Sequence, residues 1–203
     1  MIDAAVAAIR AGEAVVLPTD TVYGLCVMPF EQEPARLLYG LKGRSLDQPT
    51  AVLFADVAEL LECVPELRGR PARIAGVLLP GPYTLIFPNP ARVYPWVTGS
   101  RPDSIGVRVP MPGGPATAVL EQVRALAATS ANLAGAPEPR RLDDVPQALR
   151  AGCGAVVDGG ELPGVPSTVL DFTGPRPLVV REGAASPGEA IARVEAAVGR
   201  NRE

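Results

Sequence analysis

Short apolar runs alternate with Ala- and Leu-rich stretches from one end of this chain to the other, and that alternation constrains its fold more than any other feature. Ala14-Val15-Val16-Leu17, stopped by Pro18, reads as a buried strand, and so do residues 50–54, 83–87, 105–109, 155–157, 168–170 and 178–180. Helical composition falls on residues 3–11, with Asp3 as cap and Gly12 as stop, and on 34–41, 56–62, 67–79, 115–125 and 143–150. A last helix is expected over 186–198, with Ser186 as cap and Pro187 just inside. Residues 126–129 lead into a loop. This order predicts an α/β layered fold. The spacing is too irregular for a strict βαβ array, so the sheet is expected to be mixed. Hydrophobic residues make up 47% of the chain but aromatics only 4%, so the core must be built mainly from Ala, Val, Leu and Ile. A length of 203 residues fits one domain, 1–203. Pro and Gly are scattered through loops without forming a linker, and loops of that kind are where function usually resides.

Composition removes several function classes. Histidine is absent, which excludes a Ser-His-Asp triad, a His general base and any His-ligated metal. Cys26, Cys63 and Cys153 are far apart and form no C-x-x-C pair, so no zinc knuckle or dithiol centre is indicated. Reduced thiols, an acidic residue at Asp3 with no basic stretch before it, and no long apolar run predict a cytoplasmic chain with no membrane association. The net charge of −3 argues against a surface built wholly for nucleic acid, while leaving room for a local basic groove.

Lys42 is the only lysine, and every other basic residue is Arg. An ammonium is a compact point charge on a flexible stem, whereas a guanidinium is a rigid planar fork. Around Lys42 in the sequence stand loop segments of hydroxyls, amides and single cations at strand ends. They are Leu17-Pro18-Thr19-Asp20-Thr21-Val22-Tyr23-Gly24-Leu25, Lys42-Gly43-Arg44-Ser45, Pro80-Gly81-Pro82-Tyr83-Thr84, Ser104-Ile105-Gly106-Val107-Arg108-Val109-Pro110, Ala128-Thr129-Ser130-Ala131-Asn132-Leu133-Ala134-Gly135, Ser167-Thr168-Val169 and Val180-Arg181-Glu182-Gly183. None holds a nucleophile beside a base, so the inventory suits binding and charge neutralisation better than covalent catalysis. Lys42, Arg44, Arg108 and Arg181 could hold a polyanion, and the Ser130–Asn132 loop could cradle a phosphate or ribose. Taken singly, each has a plainer role: Thr19, Asp20 and Thr21 as helix caps, Tyr23 as core, Arg108 as a solvent-facing strand residue, Ser130 and Asn132 as turn residues. Neither a Walker A sequence nor G-x-G-x-x-G occurs.

The order LPTDTVYGL, KGR, PGPYT, SIGVRVP, TSAN, STV and VREG, spread over residues 14–183, resembles the YrdC-like L-threonylcarbamoyladenylate synthase family. The K-x-R with S-x-N combination, here Lys42, Arg44, Ser130 and Asn132, is the specific part. The resemblance implies a twisted mixed sheet flanked by helices, with a large concave basic cavity. It implies synthesis of L-threonylcarbamoyl-AMP from L-threonine, bicarbonate or CO2, and ATP, with release of pyrophosphate. The product would serve N6-threonylcarbamoyladenosine formation at position 37 of tRNA through a separate transferase complex. ATP is then a substrate, accompanied by Mg2+ with no dedicated protein metal site, and direct tRNA contact would be weak. Catalysis would fall to Lys42, Arg44, Ser130 and Asn132. ATP would meet these four with Ser104 and Arg181, and threonine would meet Thr19, Thr21, Tyr23, Arg108 and Ser167. Two positions depart from the family pattern: Leu53 stands where many members have histidine, and Glu138 where many have a second serine near ATP. Two other readings stand beside this one: a non-catalytic RNA-binding or ribosome-associated protein of the same fold, and a carbamoyl-transferring module, whose cysteine-rich motifs are missing here.

Overall fold

The computed structural model describes residues 1–199, so the end of the expected domain at 200–203 lies outside the described residues. α1 (Ile2–Arg10) leads into the hairpin of β1 (Val15–Pro18) and β2 (Tyr23–Val27). α2 (Gln32–Lys42), β3 (Ala51–Phe54), α3 (Val57–Cys63) and α4 (Arg70–Leu78) follow. Next come β4 (Tyr83–Pro88), β5 (Ser104–Arg108), α5 (Pro115–Val123) and β6 (Ala125–Ser130). The chain closes with α6 (Gln147–Ala151), β7 (Ala155–Val156), β8 (Thr168–Asp171), β9 (Leu178–Arg181) and α7 (Pro187–Val198). One nine-stranded sheet runs in the order β7-β1-β2-β6-β3-β5-β4-β8-β9. It is mixed: β1 pairs antiparallel with β2 but parallel with β7, and β5 pairs parallel with β3 but antiparallel with β4.

Helix ends follow from local chemistry. Asp56 caps α3 by accepting from the Glu59 N–H at 2.7 Å, and Ser186 caps α7 by accepting from Glu189 at 3.3 Å. Gly43 ends α2 directly after Lys42, at a left-handed φ of 65° that any other side chain would resist. Asp3 lies within the first turn of α1 and does not cap it. Of the expected elements, 115–125 stops at Val123 and 67–79 starts at Arg70. Residues 143–150 divide into a 3-10 turn and α6, because Pro146 lacks the N–H that a continuous helix would need. β2 and most of β6 occupy segments expected to be loops.

The two faces of the sheet are covered unequally. Strand residues alternate sides. Val16, Tyr23, Leu25, Val52, Phe54, Leu85, Phe87 and Val107 point to one side, where α2, α3, α4 and α7 supply Leu38, Leu60, Ile74 and Val194. On the other side α1 and α5 pack together over Val15, Leu17, Cys26 and Leu126. That second layer does not extend to β4, β5 and β8. Their residues on this face are Thr84, Ile86, Gly106, Arg108 and Val169, and they line a cavity instead.

A Pro-rich excursion between β4 and β5 folds over this cavity. It is organised by Asn89, which is fully buried; its amide donates to Val93 O at 3.0 Å and Pro102 O at 3.2 Å. The excursion is pinned from outside by Trp96 Nε1 donating to Pro29 O at 2.7 Å. Leu85 tests the closed layer, since it is 0% exposed between strands and helices. Leu85→Ala should lower unfolding free energy by about 2–5 kcal/mol in a denaturant titration; a loss below about 1 kcal/mol would mean that this layer is loosely packed.

Candidate functional site

The cavity on the open face has a volume of about 240 Å³. Its floor is made of small residues on adjoining strands, Gly24, Ala51, Gly106 and Ala128, with Leu53 among them. Four guanidinium groups, Arg44, Arg101, Arg108 and Arg181, line it together with one carboxylate, Glu138.

At one end the β1–β2 turn presents two hydroxyls. Thr19 Oγ1 donates to Val22 O at 2.6 Å and accepts from the N–H groups of Thr21 and Val22 at 3.2 Å. These bonds close the hairpin turn, and no helix follows for Thr19 to cap. Asp20 takes an N–H from Met111 at 3.1 Å and forms an ion pair with Arg108. Arg108 is 7% exposed, so it is not a solvent-facing strand residue. A guanidinium at that depth needs a counter-charge, and Asp20 supplies it. Burial lowers the proton affinity of Arg108 and Asp20 acts to restore it. Its Nη2 also donates to Thr21 Oγ1 at 2.9 Å, while its buried Nε has no partner among the described residues.

At the other end Lys42 crosses from the tip of α2 to the end of β6. Its Nζ donates to Ser130 O at 2.6 Å, Ser130 Oγ at 3.3 Å and Asn132 Oδ1 at 2.5 Å. Three N–H donors thus meet three converging acceptors, a pattern that a planar guanidinium cannot reproduce. Asn132 is fixed further by donating to Ala136 O at 2.5 Å, and Ser130 Oγ donates to Asn132 Oδ1 at 2.7 Å. Lys42 is 5% exposed and Asn132 6%; both lie behind the cavity wall, while Ser130 is in it. Burial pulls the Lys42 ammonium down from its ordinary 10.5 to about 8, with Glu138 opposing the shift and Arg44 adding to it. Arg44 braces the same wall, donating to Gln48 Oε1 at 2.7 Å, Pro49 O at 2.8 Å and Thr129 Oγ1 at 3.3 Å.

Between the ends, Ser167 Oγ lies 2.8 Å from Thr84 Oγ1. Arg181 folds back from β9 to donate to Ser167 O at 2.8 Å and to Ser167 Oγ at 3.2 Å. Ser104 stands at the rim, donating to Arg101 O at 3.2 Å. The structure therefore brings Thr19, Thr21, Arg44, Ser104, Arg108, Ser130, Ser167 and Arg181 to one cavity, with Lys42 and Asn132 directly behind it. Tyr23, expected with the threonine-contacting residues, is not among those that line the cavity. It alternates with Gly24 along β2, so its ring enters the closed layer, and its hydroxyl donates to Asp158 Oδ1 at 2.9 Å and Gly160 O at 2.8 Å. Arg101 was not foreseen: it lines the cavity and pairs with the buried Asp171 at 2.9 Å, but a lone Arg in a Pro-rich loop carries no sequence signal. No group of three or more metal-ligating side chains occurs among the described residues.

Residues 7–183 match the family model Sua5/YciO/YrdC, described as telomere recombination. The chain is 31% identical to the threonylcarbamoyl-AMP synthase of Pyrococcus abyssi over 195 residues, covering 96% of this chain and 56% of that protein. It is 32% identical to the threonylcarbamoyl-AMP synthase of Bacillus subtilis over 197 residues, again 96% and 56%. The chain thus spans about half the length of these relatives. Its fold is similar to the crystal structure of P. abyssi Sua5 complexed with L-threonine, with a TM-score of 0.86 and 32% identity, over 98% of this chain and 57% of that one.

The Lys42 geometry carries a direct consequence for pH. A folded-state value near 8 against an ordinary 10.5 means that the folded chain gives up this proton first. The charged form opposes folding at neutral pH, and that penalty fades as pH rises between the two values. Since Lys42 is the only lysine, a sample labelled with 13C-lysine gives one side-chain Cε signal. Its titration midpoint should fall near 8 in the native protein and return to about 10.5 in urea; a native midpoint near 10.5 would show a solvated ammonium.

Proposed function

The chain belongs to the Sua5/YciO/YrdC family, and on that premise we propose that it makes L-threonylcarbamoyl-AMP from L-threonine, bicarbonate or CO2, and ATP, releasing pyrophosphate. The observation that carries this reading is a pairing within one cavity. A buried arginine with an unpartnered Nε stands at one end, and a Ser130–Asn132 turn seated on the single ammonium stands at the other.

Arg108 receives the threonine carboxylate through donors that Asp20 does not use, with Thr19, Thr21 and Ser167 as hydroxyl partners. Leu53 leaves this part of the floor apolar. Ser130, Arg44 and Arg181, with Ser104 at the rim, receive the nucleotide. Lys42 and Asn132 hold the Ser130 turn in place and put a positive charge immediately behind it.

The chemistry proceeds by placement and charge neutralisation. The threonine amine adds to CO2 and loses a proton, giving a carbamate. A carbamate oxygen attacks the α-phosphorus, the bond to the bridging oxygen breaks, and pyrophosphate leaves. Charge gathers on phosphoryl oxygens in that step, and fixed cations lining the cavity offset it at little reorganisation cost. Mg2+ enters with ATP and neutralises phosphate charge when bound. In this reading the product passes to a tRNA threonylcarbamoyl transferase complex in the cytoplasm.

Pyrophosphate release should require threonine and bicarbonate together; equal release with threonine omitted would leave only a nucleotide hydrolase. Arg108→Lys tests the carboxylate contact, because it keeps a charge opposite Asp20 while removing the planar fork. The threonine KM should rise about tenfold or more, the worth of a charge-assisted hydrogen bond, with the ATP KM little changed. Unchanged threonine KM would place the carboxylate elsewhere.

A further inference from the structure

Among the described residues Glu138 is the one acid that lines the cavity, and its surroundings do not account for it. It lies on the segment that leaves the Ser130–Asn132 turn, and that segment is fixed on both sides. Asn132 Nδ2 holds Ala136 O at 2.5 Å, Pro139 O accepts from the Tyr23 N–H at 3.1 Å, and the Arg140 N–H donates to Asp144 Oδ2 at 3.0 Å. The side chain is therefore held at the cavity by its backbone. Its Oε2 is buried and has no hydrogen-bond partner among the described residues.

A structural counter-ion would be expected to bond its cations. The two cations that sense Glu138 are Lys42 and Arg181. Both have committed donors elsewhere: Lys42 to Ser130 and Asn132, Arg181 to the carbonyl and hydroxyl of Ser167. A desolvated carboxylate oxygen without a donor is costly. In a cavity that takes a triphosphate it also repels the ligand. A divalent cation between the two anions removes both penalties. Mg2+ suits such a place, since it is commonly held by one or two carboxylates together with substrate phosphates and water.

We propose that the Glu138 carboxylate is the protein's ligand to the divalent cation that enters with the nucleotide, so that the metal is held between this side chain and phosphate oxygens. The proposal rests on the ATP reading above. It turns the departure from the family's serine into a stronger dependence of nucleotide binding on metal.

The test uses the whole chain and Glu138→Gln, which keeps size and loses charge. Binding of a non-hydrolysable ATP analogue is measured by calorimetry with Mg2+ and with EDTA, and Mn2+ affinity of the analogue-bound protein by electron paramagnetic resonance. The Mg2+-dependent gain in analogue affinity should shrink about tenfold or more in the variant, with weaker Mn2+ binding, while in EDTA the variant binds the analogue more tightly than the parent. Equal Mg2+-dependent gains in the two proteins would overturn the proposal and leave the ATP reading standing. Failure of the parent to bind the analogue under either condition would overturn both. Glu138→Ser serves as the second variant, with a thermal melt for each protein, so that misfolding is not mistaken for loss of a metal ligand.

Discussion

Everything distinctive about this molecule depends on the unequal covering of its sheet. One face is closed by α2, α3, α4 and α7, while α1 and α5 cover only part of the other. A sheet exposed on one side must face water or a ligand, and here the exposed positions carry small or polar side chains. Gly24, Ala51, Gly106 and Ala128 give room, and Thr84, Arg108 and Ser130 give polarity. The closed face supplies rigidity, and the open face inherits it through strands that the two share.

The cavity's charges are set deep enough to need internal partners, and those partners fix the geometry. Asp20 orients Arg108 from a turn that Thr19 closes. Lys42 has all three donors committed to the Ser130–Asn132 turn, which explains physically why one lysine stands in a chain otherwise supplied with arginine. The ammonium acts on the cavity through the turn it holds. Its lowered proton affinity is the consequence of that burial. Among the described residues the Glu138 carboxylate and the Arg108 guanidinium each keep a buried polar atom without a hydrogen-bond partner, and each group has a ligand role proposed above.

The layered α/β architecture was legible because most strands carry apolar residues on the closed face and most helices have recognisable ends. β2 and β6 were not, and the reason is instructive. Their cavity-facing positions are Gly24, Ala128 and Ser130, so the residues that make room for a ligand erase the strand signal. The family resemblance set Tyr23 among the threonine contacts, but the period of two sends its side chain to the opposite face, where the plainer reading of it as core had put it. The grouping of Lys42 with Ser130 and Asn132 was visible only as a family pattern, since no local rule links residues 88 and 90 positions apart. Arg101 and the Asp20 ion pair are products of tertiary structure alone.

The measurement that bears most directly on this account is mass detection of the product formed from ATP, L-threonine and 13C-bicarbonate. The account predicts one adenylate containing threonine, AMP and the labelled carbon, formed only when all three reactants are present. A threonine adenylate without the label, or ADP as the only nucleotide product, would contradict it.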